Sequence, residues 1–443
     1  MPASNRTARR RLPVTSAALL SLLTLSLTAP AAAFADGSPT ASPTATPTAT
    51  ATGTPTATLS ATPPSGMSTI GGDRLGSPGT QVNLGSGAPV IPKDITARSW
   101  IVADAESGDV LAAHNAHWRL PPASTLKMLF ADTLLPKFPR NTEHKVVPSD
   151  LAGMGAGSSV VGIKENETYT VHDLWLGVFL RSGNDAVHVL SAMNKGVDQT
   201  VKDMQEHATE LQALDTHVVS PDGYDAPRQV SSAYDLTLFA RSGLQKKDFR
   251  EYCATVRAQF PGETTKKKGK TTRGSFEIQN TNRLLAGDSD VTPYQGIAGV
   301  KNGNTSNAGA TFTGVAERNG KVLLVTVMNP EKNEHNEVYK ETAKLLDWGF
   351  GAADKVTPVG ELVAPQGTDT SAQPGANAPV SPGAGAGKES AKPVATGLKD
   401  GGSRGVGIAL AVAGGVLVLL VAGGFLVNRR WPLPDLVRRR TRR

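Results

Sequence analysis

Pro121-Pro122-Ala123-Ser124-Thr125-Leu126-Lys127-Met128-Leu129-Phe130 is the stretch on which the reading of this chain turns. The prolines stop the preceding segment, and a helical run follows from Ser124 through Leu135. Residues three apart share a helix face, so Lys127 points the same way as Ser124. A serine hydroxyl is a weak nucleophile and needs a base beside it. Lysine serves as that base when desolvation or a nearby positive charge pulls its pKa down. The apolar Met128-Leu129-Phe130 sets the pair at the mouth of a buried helix. There the helix start offers backbone N–H groups to a developing oxyanion.

This is the only Ser-x-x-Lys in the sequence, and Ser182-Gly183-Asn184 is the only Ser-x-Asn. A third motif, Lys301-Asn302-Gly303, follows late in the chain. Lys267 and Lys399 also begin a Lys-x-Gly, but only Lys301 has strand-like segments on both sides. Each motif alone is an ordinary turn; the ordered trio is much more specific, and Lys301 could supply a positive charge that lowers Lys127.

Around the motifs the periodicity changes along the chain. Trp100-Ile101-Val102 and Val110-Leu111 read as strands joined by the turn Glu106-Ser107-Gly108-Asp109. Val171 to Met193 is helical in period with a break at Ser182-Gly183-Asn184, and Ser232 to Ser242 is a further helix. Gly296–Val300, Thr311–Ala316 and Lys321–Met328 read as strands, and Glu337 to Leu346 as a closing helix. Strands at both ends with helices between them imply an α+β domain: an antiparallel sheet uniting the ends and an inserted helical lobe. Lys266-Lys267-Lys268-Gly269-Lys270 reads as a basic, solvated turn.

The catalytic domain is expected at 86–350, between a Ser/Thr/Pro/Ala-rich spacer at 36–85 and a Pro/Ala/Gly-rich linker at 351–403. Residues 1–35 read as a secretory signal peptide: four arginines, an apolar run from Val14 to Leu27, and Ala33-Phe34-Ala35 as cleavage box. Residues 404–428 read as a transmembrane helix, since about 23 uncharged residues give roughly 34 Å of helix. The basic tail at 429–443 carries seven arginines and is expected in the cytoplasm, with the domain outside.

The net charge of +7 therefore reflects targeting and topology; the segment between leader and tail is slightly negative, so nucleic acid is not expected as a partner. Cys253 is the single cysteine, which excludes an internal disulfide and a cysteine metal cluster; it reads as a buried or inert thiol. His114 and His117 are the closest histidine pair and read as surface residues near a turn. No metal or cofactor is expected.

From Ile101 to Phe350 the chain resembles the D-alanyl-D-alanine carboxypeptidases, the low-molecular-weight penicillin-binding proteins of peptidase family S11. The resemblance rests on the trio and on Ser182-Gly183-Asn184-Asp185-Ala186, Ser232-Ala233-Tyr234-Asp235-Leu236, Asn280-Thr281-Asn282-Arg283-Leu284-Leu285 and Leu346-Asp347-Trp348-Gly349-Phe350. It implies a β-lactamase/DD-peptidase-like fold: an antiparallel five-stranded sheet flanked by helices plus a helical lobe, with the active site between them.

It also implies roles. Ser124 would attack the penultimate D-alanine carbonyl of a peptidoglycan stem peptide ending in D-Ala-D-Ala, with Lys127 taking its proton. Ser182 would relay a proton to the leaving D-alanine, and Asn184 would orient substrate and Lys127. Lys301, with Asn302 and Gly303, would attract the terminal carboxylate, and the N–H groups of Ser124 and Asn304 would form the oxyanion hole. β-Lactam antibiotics would acylate the same serine.

Two departures accompany the resemblance. Asn302 stands where the family usually has threonine; its amide still donates a hydrogen bond, so retained acylation with altered substrate or β-lactam preference is expected. The β-rich domain that many relatives carry after the catalytic domain gives way to linker, so the enzyme is expected to be tethered through that linker to the membrane. Two other readings stay open: a catalytically impaired cell-wall-binding homologue, and a class A β-lactamase-like hydrolase. The latter needs a Glu-x-x-Leu-Asn loop that does not occur after Ser182. Endopeptidase or transpeptidase activity would use the same acyl-enzyme.

Overall fold

Continuous apolar runs, too short for long helices, build the centre of the molecule as strands buried on both faces. The computed structural model describes residues 62–367. In chain order it forms β1 (Thr80–Val82), β2 (Ala97–Asp104), β3 (Asp109–His114), and a 3-10 turn (Ala123–Leu126) that runs into α1 (Lys127–Leu134). A small β4–β5 pair (Glu143–Lys145, Thr168–Thr170) precedes α2 (Val171–Arg181), α3 (Asn184–Met193), α4 (Val197–Glu210), α5 (Ala233–Gly243) and α6 (Lys247–Ala254). The hairpin β6–β7 (Arg257–Lys267, Lys270–Gln279) and short α7 (Arg283–Ala286) follow. The chain then forms β8 (Ile297–Thr305), β9 (Gly309–Arg318), β10 (Lys321–Pro330), α8 (Glu337–Ala352) and β11 (Gly360–Glu361).

Five long strands pair antiparallel in the order β3-β2-β10-β9-β8, so the sheet does join the two ends of the domain. Both faces are buried, and the period-2 rule decides which residue serves which face. Trp100, Val102, Leu323, Val325 and Val327 pack on the side of α8. Ile101, Ala103, Leu324 and Met328 face the cluster built from α1, α2, α3 and α5. The lobe helices start where their sequences cap them. Thr170 and Asp173 form a capping box on α2, and the Ser232 hydroxyl accepts from Asp235 N–H on α5.

The domain is wider than 86–350. β1 pairs with β3, and β11 pairs with β3 further along, so the sheet has seven strands. Leu75, Val359 and Leu362 are buried, and Glu361 N–H donates to Gly71 O at 2.7 Å. The assignments of 62–85 to the spacer and of 351–363 to the linker are corrected accordingly. A few apolar side chains and one free strand edge suffice to hold such arms, although their composition is that of a loop. The signal peptide (1–35), the membrane span (404–428) and the tail (429–443) lie outside the described residues. Among the described residues no helix is long and apolar enough to cross a membrane.

Two smaller readings change, and the basic, solvated turn stands. The helical run begins as a 3-10 turn and becomes α-helix at Lys127. The basic stretch 266–270 is the tip of the β6–β7 hairpin, where Lys268 and Gly269 take positive φ. His117 is not at the surface: it is 2% exposed and hydrogen-bonded to Asp215 at 2.7 Å, and its other ring nitrogen meets the Ile70 carbonyl. Cys253 is buried as expected, and burial pushes its thiol up to about 12.

Candidate active site

The 3-10 turn explains the spacing of the first motif, because residues i and i+3 eclipse in that geometry. Lys127 Nζ donates to Ser124 Oγ at 2.8 Å. The turn is wedged from two directions. Gly223, at φ +78°, lies so close that a Cβ there would overlap the Ala123 carbonyl oxygen. A Cβ on Gly303 would sit 2.7 Å from Ser124 N and 2.6 Å from Thr311 Oγ1. Thr311 Oγ1 in turn donates to Pro122 O at 2.9 Å, tying β9 to the same turn. Ala123 pays for this crowding with a left-handed φ of 51°.

The second motif is the joint between α2 and α3. Ser182 ends α2 in the left-handed region (φ 55°), and Asn184 opens α3. Asn184 Oδ1 accepts from Lys127 Nζ at 2.8 Å, and its Nδ2 donates to Ser158 Oγ at 2.9 Å. A third N–H of Lys127 goes to the Asp222 carbonyl at 2.6 Å. The lysine amine is thus held by Ser124, Asn184 and Asp222 and is 1% exposed. Burial pulls it down to about 8, against the Asp222 and Asp185 carboxylates, which push it up. The Ser182 hydroxyl is buried and has no hydrogen-bond partner among the described residues.

The third motif lies on β8. Lys301 is fully buried and donates to the Asn302 carbonyl at 2.7 Å. Burial first, and repulsion from Lys127 second, pull its amine well below the ordinary lysine value. Burial is what chiefly lowers Lys127, and the repulsion between the two amines acts on both. Asn302 Oδ1 accepts from Thr281 Oγ1 at 3.0 Å, while its Nδ2 makes no hydrogen bond among the described residues. The departure from threonine therefore leaves a donor available.

Ser124, Asn184, Asn304 and Thr305 line a cleft of about 460 Å³, whose other wall includes Ser158, Ser159, Tyr224 and Asp225. The loop segment 158–163 of that wall is fastened by Asp185, whose carboxylate accepts from Val161, Gly162 and Ile163 N–H. Asp225 fastens the β8–β9 turn, accepting from Thr305 Oγ1 at 2.7 Å and Asn307 N–H at 3.0 Å. Ser158, Asp222, Asp225 and Thr281 are not site residues in the sequence reading; the strings Ser220-Pro221-Asp222-Gly223 and Asn280-Thr281-Asn282 are a local signal for Asp222 and Thr281, and Ser158 and Asp225 have none. A larger, more apolar hollow of about 890 Å³ lies across α5 and α6, and none of the motif residues lines it.

A serine with a lysine base, set between a helical lobe and an antiparallel sheet, defines the penicillin-recognising class of serine acyltransferases. Within that class, residues 86–332 match the peptidase S11 family of D-alanyl-D-alanine carboxypeptidases, and the chain belongs to this family of serine-type hydrolases. It is similar to the D-alanyl-D-alanine carboxypeptidase DacB2 of Mycobacterium tuberculosis, 36% identical over 280 residues, 62% of this chain and 89% of that one. The solved structure of a D-alanyl-D-alanine carboxypeptidase from Mycobacterium tuberculosis H37Rv superposes with a TM-score of 0.55 at 33% identity, covering 63% of this chain and 99% of that one. Escherichia coli DacD is 31% identical over 271 residues, 58% of this chain and 64% of the relative. The matching family is the carboxypeptidase family, which decides between the two enzyme readings that the motifs left open.

Proposed function

We propose that Ser124, Lys127 and Ser182 are the catalytic residues that cleave the terminal D-alanine from peptidoglycan stem peptides ending in D-Ala-D-Ala. The observation that carries this reading is the 2.8 Å contact between Lys127 Nζ and Ser124 Oγ, with the amine lowered to about 8. Neutral Lys127 takes the Ser124 proton as Oγ attacks the penultimate D-alanine carbonyl. The oxyanion forms against the backbone N–H groups of Ser124 and Asn304, both on the cleft wall. The C–N bond then breaks, and the departing amine receives a proton through Ser182, whose hydroxyl has no protein partner to hold it. Water hydrolyses the ester and returns Ser124 to its starting state.

Lys301 and Asn302 Nδ2 are the groups that receive the substrate's terminal carboxylate. A β-lactam presents a carboxylate and a reactive carbonyl in the same relation, so it acylates Ser124 and leaves slowly. A buried hydroxyl without a partner costs about 1–3 kcal/mol, which favours a working site over an impaired binder. The full-length protein, incubated with a peptide ending in D-Ala-D-Ala, releases one D-alanine per peptide, and Ser124→Ala releases none. Equal release by both proteins, or by neither, overturns the assignment.

We propose further that the catalytic domain lies outside the cytoplasmic membrane, anchored by the apolar run at 404–428. Support comes from the uncharged run, the arginines that follow it, and the leader at 1–35. Protease added to intact spheroplasts then digests the domain and spares the tail. Protection of the domain would contradict this topology.

A further inference from the structure

The β6–β7 hairpin breaks two local rules at its tip. Lys268 and Gly269 form its two-residue loop at φ 48° and 78°, a conformation that asparagine enters more readily than lysine. Lys267 and Lys270 then stand directly opposite each other on the ladder, and like charges so placed destabilise a strand pair. Lys266 adds a further positive charge beside them. All four lysines are exposed, and none makes a hydrogen bond or an ion pair among the described residues. A sequence shaped only by folding would not gather them there.

The hairpin is nevertheless fixed on the domain. A two-stranded ribbon is marginal alone and takes its stability from packing. Phe260 is fully buried against Tyr169 and Phe276, with ring centroids 5.6 Å apart in each pair. The Arg273 guanidinium lies 4.7 Å from the Tyr169 ring, and Thr264 Oγ1 donates to Glu167 at 2.8 Å. Glu167 also pairs with Arg273, which leaves Glu263 as the only carboxylate on the outer hairpin to set against the four lysines. The base of the hairpin touches the cleft wall. A Cβ on Gly162 would lie 3.9 Å from Phe276 Cζ, and Gly162 belongs to the loop segment that gives Ser158 and Ser159 to the cleft. From Phe260 the strand runs to Lys267, so the tip stands roughly 20 Å beyond that base.

We propose that the Lys266–Lys270 tip is an outlying docking surface for the peptidoglycan polymer, gripping carboxylates of stem peptides that neighbour the one in the cleft. The proposal rests on the D-Ala-D-Ala substrate assigned above. Its charge is complementary to a polymer on which every uncleaved stem ends in a carboxylate, and its base is continuous with the wall of the cleft that receives one such end. Three residues of peptide span about 10 Å, so a short peptide held in the cleft does not reach the tip, whereas a strand bearing many stems does. Thr265, Thr271 and Thr272 stand among the lysines and add hydroxyl donors. A lipid surface would be gripped by apolar side chains beside the charge, and residues 263–275 contain none.

The test uses the full-length protein in nanodiscs of neutral lipid: the wild type and the fourfold variants K266A/K267A/K268A/K270A and K266R/K267R/K268R/K270R. Equal labelling by a fluorescent penicillin confirms folding. Release of D-alanine is measured from peptidoglycan stripped of phosphate polymers and from a three-residue peptide ending in D-Ala-D-Ala. At about 0.05 M salt the alanine variant should lose about tenfold in kcat/KM on the polymer and less than about twofold on the peptide. The arginine variant should match the wild type on both. Raising the salt to about 0.3 M should bring the wild type down to the alanine variant on the polymer alone. Sedimentation with the polymer should show the same lysine dependence, and amidating the polymer's carboxyl groups should abolish it. Equal rates of wild type and alanine variant on the polymer, equal losses on both substrates, or a lysine dependence that survives amidation overturn the proposal. So does a dependence that appears only in discs of anionic lipid, which would assign the tip to the membrane surface. Should the alanine variant not fold, the wild type decides: polymer turnover and sedimentation that salt does not weaken overturn the proposal. A wild type that releases no D-alanine from either substrate sinks the proposed function, and the sedimentation results then decide the tip by themselves.

Discussion

The two walls of the cleft hold one buried lysine each and treat them differently. On the lobe side, Lys127 spends three N–H groups on Ser124, Asn184 and Asp222, among the carboxylates of Asp222 and Asp185. On the sheet side, Lys301 has the Asn302 carbonyl and a 3.3 Å approach to its side-chain oxygen, and among the described residues no carboxylate pairs with it. A lysine with its donors filled and its pKa near 8 is built to exchange a proton. A buried, under-satisfied lysine beside an unpaired amide N–H is built to receive an anion. Under the proposed function the same residue type would serve acid–base work on one wall and carboxylate capture on the other.

Substitutions separate the walls. Lys127→Ala is expected to have the largest effect, lowering acylation by about 10²–10⁴-fold, because no other base stands on Ser124; rapid mixing with a fluorescent penicillin measures it. Lys301→Ala removes a charged hydrogen bond to the carboxylate and should cost about 10²-fold in kcat/KM for peptide hydrolysis. An amidated peptide, which has no carboxylate to lose, should show a much smaller ratio between the two proteins. Near-equal losses for both peptides would break the distinction between the walls.

The pH profile addresses the lobe wall alone. Below about 8 the Lys127 amine is protonated and cannot accept the Ser124 proton, so acylation rises with pH and levels above that value. A flat profile between neutral and alkaline pH would contradict the lysine as base. Gly303→Ala presses a Cβ on Ser124 N and should destabilise by about 1–3 kcal/mol, read as a lowered melting temperature and slower acylation. Asn302→Thr is the mildest change. It exchanges one donor for another and should shift preference among β-lactams by only a few-fold, about 1 kcal/mol or less.

What could be read from sequence was what local spacing encodes. Ser124 and Lys127 are one turn apart, the break at Ser182 interrupts a strong helical period, and Trp100-Ile101-Val102 is a short continuous apolar run, as suits a strand buried on both faces. The contacts that make the site work come from far along the chain. Asp222 reaches Lys127 across 95 positions and Thr281 reaches Asn302 across 21, and the strings around Asp222 and Thr281 do not say which partner either one meets. The β6–β7 hairpin was hidden for another reason. Most of its outer residues are exposed on both faces, so the apolar alternation that marks a strand is missing. The arms at 62–85 and 351–363 have linker composition, and only their pairing with β3 and with each other reveals them as part of the domain.

The most direct test of the account is the intact mass of the full-length protein after incubation with penicillin, followed by peptide mapping. The account predicts a single adduct of one penicillin mass, located on the peptide containing Ser124 and absent from Ser124→Ala. No adduct, or an adduct on a different residue, would contradict it.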